Sequence, residues 1–177
     1  MKIATLCYIR NDKNQTLMMH RVKKLHDMHE GKYNGLGGKF EDGETPEECV
    51  IREIKEESGL KLINPTLKGV ITFPAFDGNE TWQVFVFTAN KFEGELIESN
   101  EGNLKWIEND KLFDLNLWDG DKIFMKWLDK KEFFSAKFIY KNGKLLDYKV
   151  YFYWRDKPLS LKAALFITRL YFPLSWG

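Results

Sequence analysis

Cysteine is scarce: Cys7 and Cys49 are the only two in 177 residues. A disulfide framework cannot organise the chain, and both thiols sit in apolar patterns that read as small core residues of a reducing compartment. Neither sign of charge dominates. Lys and Arg number 27 against 26 Asp and Glu, a net charge of +1. That balance gives no broad attraction toward nucleic acid polymers, whereas a small nucleotide needs only local charge. Internal repeats and low-complexity segments are missing. So are long hydrophobic runs. The apolar stretch from Ser160 to Phe172, with Ser160 as a helix cap, is interrupted by Lys162 and Arg169 and followed by Pro173, so it is too short to span a bilayer. Met1-Lys2 leads directly into a strand with no secretory signal, and a cytoplasmic location is expected. The three histidines, His20, His26 and His29, lie around a basic stretch from Arg21 to Lys32. They read as solvated loop residues, with a metal role as the alternative.

Hydrophobic content of 44% and charged content of 30% suit one soluble domain with a real core. Its expected extent is residues 1–154, with an apolar tail at 155–177 expected to dock on the domain or on a partner, a membrane-surface role being the alternative. Ile3 to Ile9 reads as a buried strand, Asn11 to Asn14 as a turn, and Leu17 to His20 as a returning strand. Leu67 to Phe73 and Thr81 to Thr88 form a second pair around a long loop holding Asp77-Gly78-Asn79. The spacing of Ile123, Phe124, Trp127 and Leu128 predicts an amphipathic helix over Asp119 to Lys131. Phe133 to Tyr140 and Leu145 to Trp154 flank Asn142-Gly143, a strong hairpin signal.

The densest chemistry lies at residues 37–60, GGKFEDGETPEECVIREIKEESGL. A glycine turn feeds a helix that Thr45 caps, Pro46 opens, Glu48 completes as a capping box, and Gly59 ends. Val50 and Ile54 can face a core, leaving Glu53, Glu56 and Glu57 on the opposite face. From Glu41 to Glu57 there are eight acids against two bases. Like charges at helical spacing cost about 0.2–0.5 kcal/mol per pair, so the face is either simply solvated or occupied by a hard cation. The glycine turn favours the cation, because unencumbered backbone lets a phosphate-bearing ligand approach. Gly37, Gly38 and Lys39 are its candidate contacts.

This stretch resembles the Nudix box, G-x5-E-x7-R-E-U-x-E-E-x-G-U with U a bulky aliphatic residue. Gly38, Glu44, Arg52, Glu53, Ile54, Glu56, Glu57, Gly59 and Leu60 fill every defined position. The resemblance implies an α/β/α sandwich around a mixed sheet, and hydrolysis of a nucleoside diphosphate linked to another group with Mg²⁺ or Mn²⁺. It implies that Glu53 and Glu57 bind metal with the Gly37 carbonyl. Glu56 would bind directly or through water and help activate the attacking water. Arg52 and Glu44 would form a supporting pair. Glu101, just before Lys105-Trp106-Ile107, matches a glutamate that completes the metal site in MutT-type members. Arg21, Lys23 or Lys24 could meet distal phosphates.

A narrower resemblance runs from about Asp114 to Val150, to the oxidised-purine nucleoside triphosphatases. There a W-P-D-D motif gives an aromatic wall and two acids, and an asparagine before the glycine turn completes the base pocket. Trp118 matches the wall, Asp121 the second acid and Asn34 the asparagine. Asp119 replaces the proline and Gly120 the first acid. The implied activity is cleavage of 8-oxo-dGTP-type substrates to the monophosphate and pyrophosphate. The alternatives are a Nudix hydrolase of a nucleotide sugar or dinucleotide, and a non-hydrolysing sensor, which the intact box disfavours. The sequence leaves the oligomeric state open.

Overall fold

Apolar alternation lays down most of the architecture. The computed structural model describes residues 1–23, 29–76 and 78–154. Its strands are β1 (Lys2–Arg10), β2 (Gln15–His20), β3 (Tyr33–Asn34), β4 (Lys61–Leu62), β5 (Thr66–Phe73), β6 (Trp82–Ala89), β7 (Phe92–Glu93), β8 (Asn103–Glu108), β9 (Phe133–Lys141) and β10 (Lys144–Tyr153). Two α-helices accompany them, α1 (Pro46–Ser58) and α2 (Asp119–Phe124). The main sheet runs β10-β9-β5-β6-β1-β2-β3, with β8 also paired to β2, while β4 and β7 form a separate pair. β1–β6 and β5–β9 are parallel, and the remaining pairs are antiparallel.

Because side chains alternate across a strand, the sheet has two apolar faces. Cys7, Ile9, Leu17, Met19 and Phe87 pack with Val50 and Ile54 of α1 on one face. Tyr8, Met18, Val86 and Phe134 pack with Phe124, Met125 and Trp127 on the other. The expected helical layers on both sides of a mixed sheet are therefore present.

The expected helix over Asp119 to Lys131 is shorter. α2 stops at Phe124 and the chain tightens into a 3-10 turn at Met125–Trp127. Phe124, Met125, Trp127 and Leu128 are all buried, a wider arc than one α-helical stripe provides, and the tighter turn brings Met125 inward too. The hairpin turn at Asn142-Gly143 forms as expected, both residues having positive φ (50° and 74°). The β4–β7 pair and the 3-10 helix Asn109–Asp114 have no counterpart in the sequence reading, since two-residue strands carry no periodicity. Lys24, His26, Asp77 and the tail at 155–177 lie outside the described residues. Among the described residues, no helix is long and apolar enough to cross a membrane.

One topological detail positions the site. β1 pairs with β2 only at Ile9–Leu17 and Arg10–Thr16, and beyond that the two strands separate. The glycine turn fills the gap. Thr5 N–H donates to the Gly38 carbonyl at 2.8 Å, Cys7 N–H to Leu36 at 2.6 Å, and Phe40 N–H to Ile3 at 3.2 Å.

Candidate active site

α1 begins as its sequence promises. Thr45 Oγ1 accepts from Glu48 N–H at 3.2 Å, and Glu48 Oε2 accepts from Thr45 N–H at 2.8 Å. Gly59 ends the helix in the left-handed region at φ 77°. With Val50 and Ile54 fully buried, the polar face of α1 is turned toward the glycine turn. There the backbone comes close. A Cβ at Gly37 would lie 2.4 Å from the Thr5 carbonyl oxygen, and one at Gly38 would lie 2.4 Å from the Glu53 carboxyl group. At Gly37, with φ 140° and backbone opposite, only glycine permits this packing, whereas a side chain at Gly38 would displace the Glu53 carboxylate.

Arg52 ties the box together. Its guanidinium donates to both Glu44 oxygens (2.6 and 2.9 Å), to Glu53 at 3.0 Å, to Glu56 at 3.2 Å, and to the Lys39 carbonyl at 3.0 Å. The bidentate Arg52 contact holds the Glu44 carboxyl down at about 2. Glu57 behaves oppositely. Its Oε2 accepts from Gly37 N–H at 2.9 Å, but burial pushes its carboxyl up to about 8, and Glu101 and Glu53 add repulsion. Glu53 is also raised by burial, with Arg52 opposing and Glu56 and Glu101 reinforcing the shift.

A cavity of about 530 Å³ opens in front of these groups. At one end lie Glu53, Glu57, Glu101, Arg21 and Lys39, alongside Gly37 and Gly38; Asn34, Trp118 and Asp121 also line it. Ten residues picked out from separate parts of the sequence thus share one lining. Three do not: Glu44, Arg52 and Glu56 stand behind or beside it. Glu56 is largely exposed, its carboxylate reaching back to Arg52. Arg21 pairs with Glu101, and Lys23 donates to Glu98 and to the Ser99 carbonyl, both at 2.8 Å.

The cavity has members that sequence reasoning missed: Phe73, Phe76 and Tyr140 beside Trp118, and Trp82 beneath Lys39. They belong to no local motif, and only the pairing of β5 with β6 and β9 assembles them. His29 is also in the lining rather than an isolated loop residue. Its Nδ1 accepts from Trp118 Nε1 at 3.0 Å, and its ring meets Phe76 and Trp118. His20 instead stacks on Tyr33 at 4.2 Å. Asp121 is buried, and desolvation pushes its carboxyl up to about 7 against the pull of Lys32. Asn34 Oδ1 is buried with no hydrogen-bond partner among the described residues. A polar acceptor left like this costs stability unless water or a ligand in the cavity satisfies it.

The fit to a divalent cation rests on this donor set. Three carboxylates line one cavity and repel one another's charge, which a hard cation would relieve. Among the described residues, no three acidic, histidine or cysteine side chains are gathered into a ready cage. Arginines engage two of the three, Arg52 holding Glu53 and Arg21 holding Glu101.

The sheet, the box helix and this cavity define a pyrophosphohydrolase of the Nudix class. The model of the NUDIX domain matches residues 1–128, and the chain belongs to that family, whose hydrolases generally use divalent metal ions. Over 131 residues it is 34% identical to the Nudix hydrolase YvcI of Bacillus subtilis, covering 72% of this chain and 78% of the relative. It is 39% identical over 104 residues to an oxidized purine nucleoside triphosphate hydrolase of Danio rerio, covering 58% of this chain and 67% of the relative. Among solved structures, a MutT protein from Bacillus halodurans superposes with a TM-score of 0.74 at 32% identity. That match covers 85% of this chain and 97% of the other.

Proposed function

We propose that the protein hydrolyses oxidised purine nucleoside triphosphates of the 8-oxo-dGTP type to the monophosphate and pyrophosphate, cleansing the nucleotide pool. One observation carries this reading. A single cavity joins the box carboxylates to an aromatic recess that holds a buried unpaired acceptor, Asn34, and a buried acid, Asp121. A purine needs both a stacking face and groups that read its edge. Trp118 supplies the face, while Asn34 and Asp121 supply the edge contacts. The similarity to the Danio rerio hydrolase supports the same substrate class.

Glu53, Glu57 and Glu101, with the Gly37 carbonyl, would hold Mg²⁺ or Mn²⁺. Bound there, such an ion neutralises phosphate charge and lowers the pKa of water. The chain's own part is positional. Arg52 anchors Glu53 and Glu56, the Gly37 N–H fixes Glu57, and Arg21 and Lys39 face the polyphosphate. Glu56 lies on the exposed flank of α1, outside the cavity lining and paired with Arg52, and would take a proton from attacking water only by turning away from that arginine. The two free thiols, both buried, fit a reducing cytoplasmic setting.

A release assay over oxidised and ordinary nucleoside triphosphates, nucleotide sugars and dinucleotides tests the substrate. Oxidised purines should give the highest kcat/KM. Excess chelator should abolish turnover, and Glu57→Gln should lower it at least about 10²-fold, because water activation is impaired. Full activity in chelator sinks the metal assignment, and a preference for a nucleotide sugar or dinucleotide sinks the substrate assignment.

A further inference from the structure

Position 120 holds no acid, and a tyrosine hydroxyl takes up the space beside it. Gly120 N–H donates to Tyr140 Oη at 2.7 Å. A Cβ at Gly120 would lie 2.6 Å from that oxygen and 3.0 Å from Phe138 Cδ1. A side chain at 120 and a hydroxyl at 140 therefore exclude one another. α2 and β9 meet at this point, and the missing side chain is the condition of their approach.

Tyr140 borders the aromatic recess. Tyr140 and Asp121 both line the cavity, and the Tyr140 ring stands edge-on to Trp118 (5.7 Å, 89°) and to Phe76 (5.0 Å, 85°). Two neighbouring rings thus fix its direction. Oη spends one lone pair on the Gly120 N–H, its one hydrogen-bond partner among the described residues. Its proton has no part in that bond and stays available for donation. Burial pushes the phenol further above its ordinary value of 10, and the nearby Asp121 and Asp119 charges add to the shift. At neutral pH the group is a donor.

We propose that Tyr140 is a specificity-determining residue, donating a hydrogen bond to an acceptor on the purine edge where position 120 offers only backbone. This rests on the reading of the cavity as a purine site. Trp118 then supplies the face, Asn34 an acceptor, and Tyr140 a donor beside Asp121. Tyr140 is oriented through backbone, so its hydroxyl does not depend on the protonation of a neighbouring carboxylate.

The test measures kcat and KM for 8-oxo-dGTP, 2-oxo-dATP, dGTP and dATP, with magnesium, on the wild type and three variants. Tyr140→Phe keeps the ring and removes the donor. It should lower kcat/KM for the preferred oxidised purine about tenfold, a hydrogen bond's worth. The loss should fall mainly in KM and change the ratio between oxidised and ordinary purines. Gly120→Ala should lower kcat/KM alone, by displacing the hydroxyl, and should add less than about threefold in the Tyr140→Phe background. A purely structural Tyr140 would shift all four substrates equally. An equal shift, no shift, or fully additive losses in the double variant would each overturn the assignment. If the wild type cleaves oxidised purines and these ratios stay fixed, the Tyr140 assignment alone falls. If the wild type leaves them uncleaved, the purine reading falls and takes this one with it.

Discussion

Asp121 is an acid whose surroundings favour its neutral form. Desolvation raises its carboxyl from 3.8 to about 7. In the unfolded chain it ionises near its ordinary value, so between those limits the folded state holds more protons than the unfolded one. The stability it contributes is fully present below about 3.8 and is lost as pH rises through about 7. Asp121→Asn keeps the shape and removes the titration. Thermal melts should show the variant gaining on the wild type from about pH 4 to pH 7 and levelling off above that, with no gain below about pH 3. On the proposed purine reading the same proton would affect selectivity, because a neutral carboxyl can donate to a purine carbonyl and an ionised one only accepts. The ratio of kcat/KM for 8-oxo-dGTP over dGTP should therefore fall through pH 7 in the wild type and stay flatter in Asp121→Asn. Parallel pH profiles for the two proteins would remove Asp121 from base reading.

At the scale of elements, α1 carries the box and its start is the accessible point of failure. Thr45→Ala removes the acceptor for Glu48 N–H and half of the capping box, which should cost about 1 kcal/mol in a denaturant titration. A midpoint unchanged from wild type would show that Pro46 and the packing of Val50 and Ile54 hold the helix start without the cap. Elements like α1 were legible because the sequence marks both ends and the buried face between them. The Asn142-Gly143 turn was legible for a similar reason, since two adjacent positive φ angles demand those residues. The aromatic end of the cavity was not. Phe73, Phe76 and Tyr140 meet only because β9 pairs with β5 from far along the chain, and no local spacing encodes that. The helix after Trp118 is shorter than its periodicity predicts, because apolar spacing does not distinguish an α-turn from a 3-10 turn where Phe124, Met125, Trp127 and Leu128 all face the core. His29 looked like one more polar loop residue until Trp118 came within reach.

For the whole molecule, every candidate site residue falls within residues 1–154, and we propose that this span is the catalytic unit. Deleting Pro158 to Gly177 should leave kcat within about threefold while altering self-association, since Tyr151, Tyr153 and Trp154 on and after the end strand β10 are exposed. A folded truncation that loses turnover would place part of the machinery in the tail. The same architecture builds in an optical reporter. Two indoles, Trp82 and Trp118, face the cavity, Trp127 is sealed in the core, and Trp154 stands in solvent. Emission from the cavity pair depends on what lies against their rings and on the His29 hydrogen bond, whereas, among the described residues, Trp106 stacked on Phe92, Trp127 and Trp154 give a steady background. Occupancy of the cavity can thus be followed by intrinsic fluorescence, without a label and before any bond in the ligand is broken.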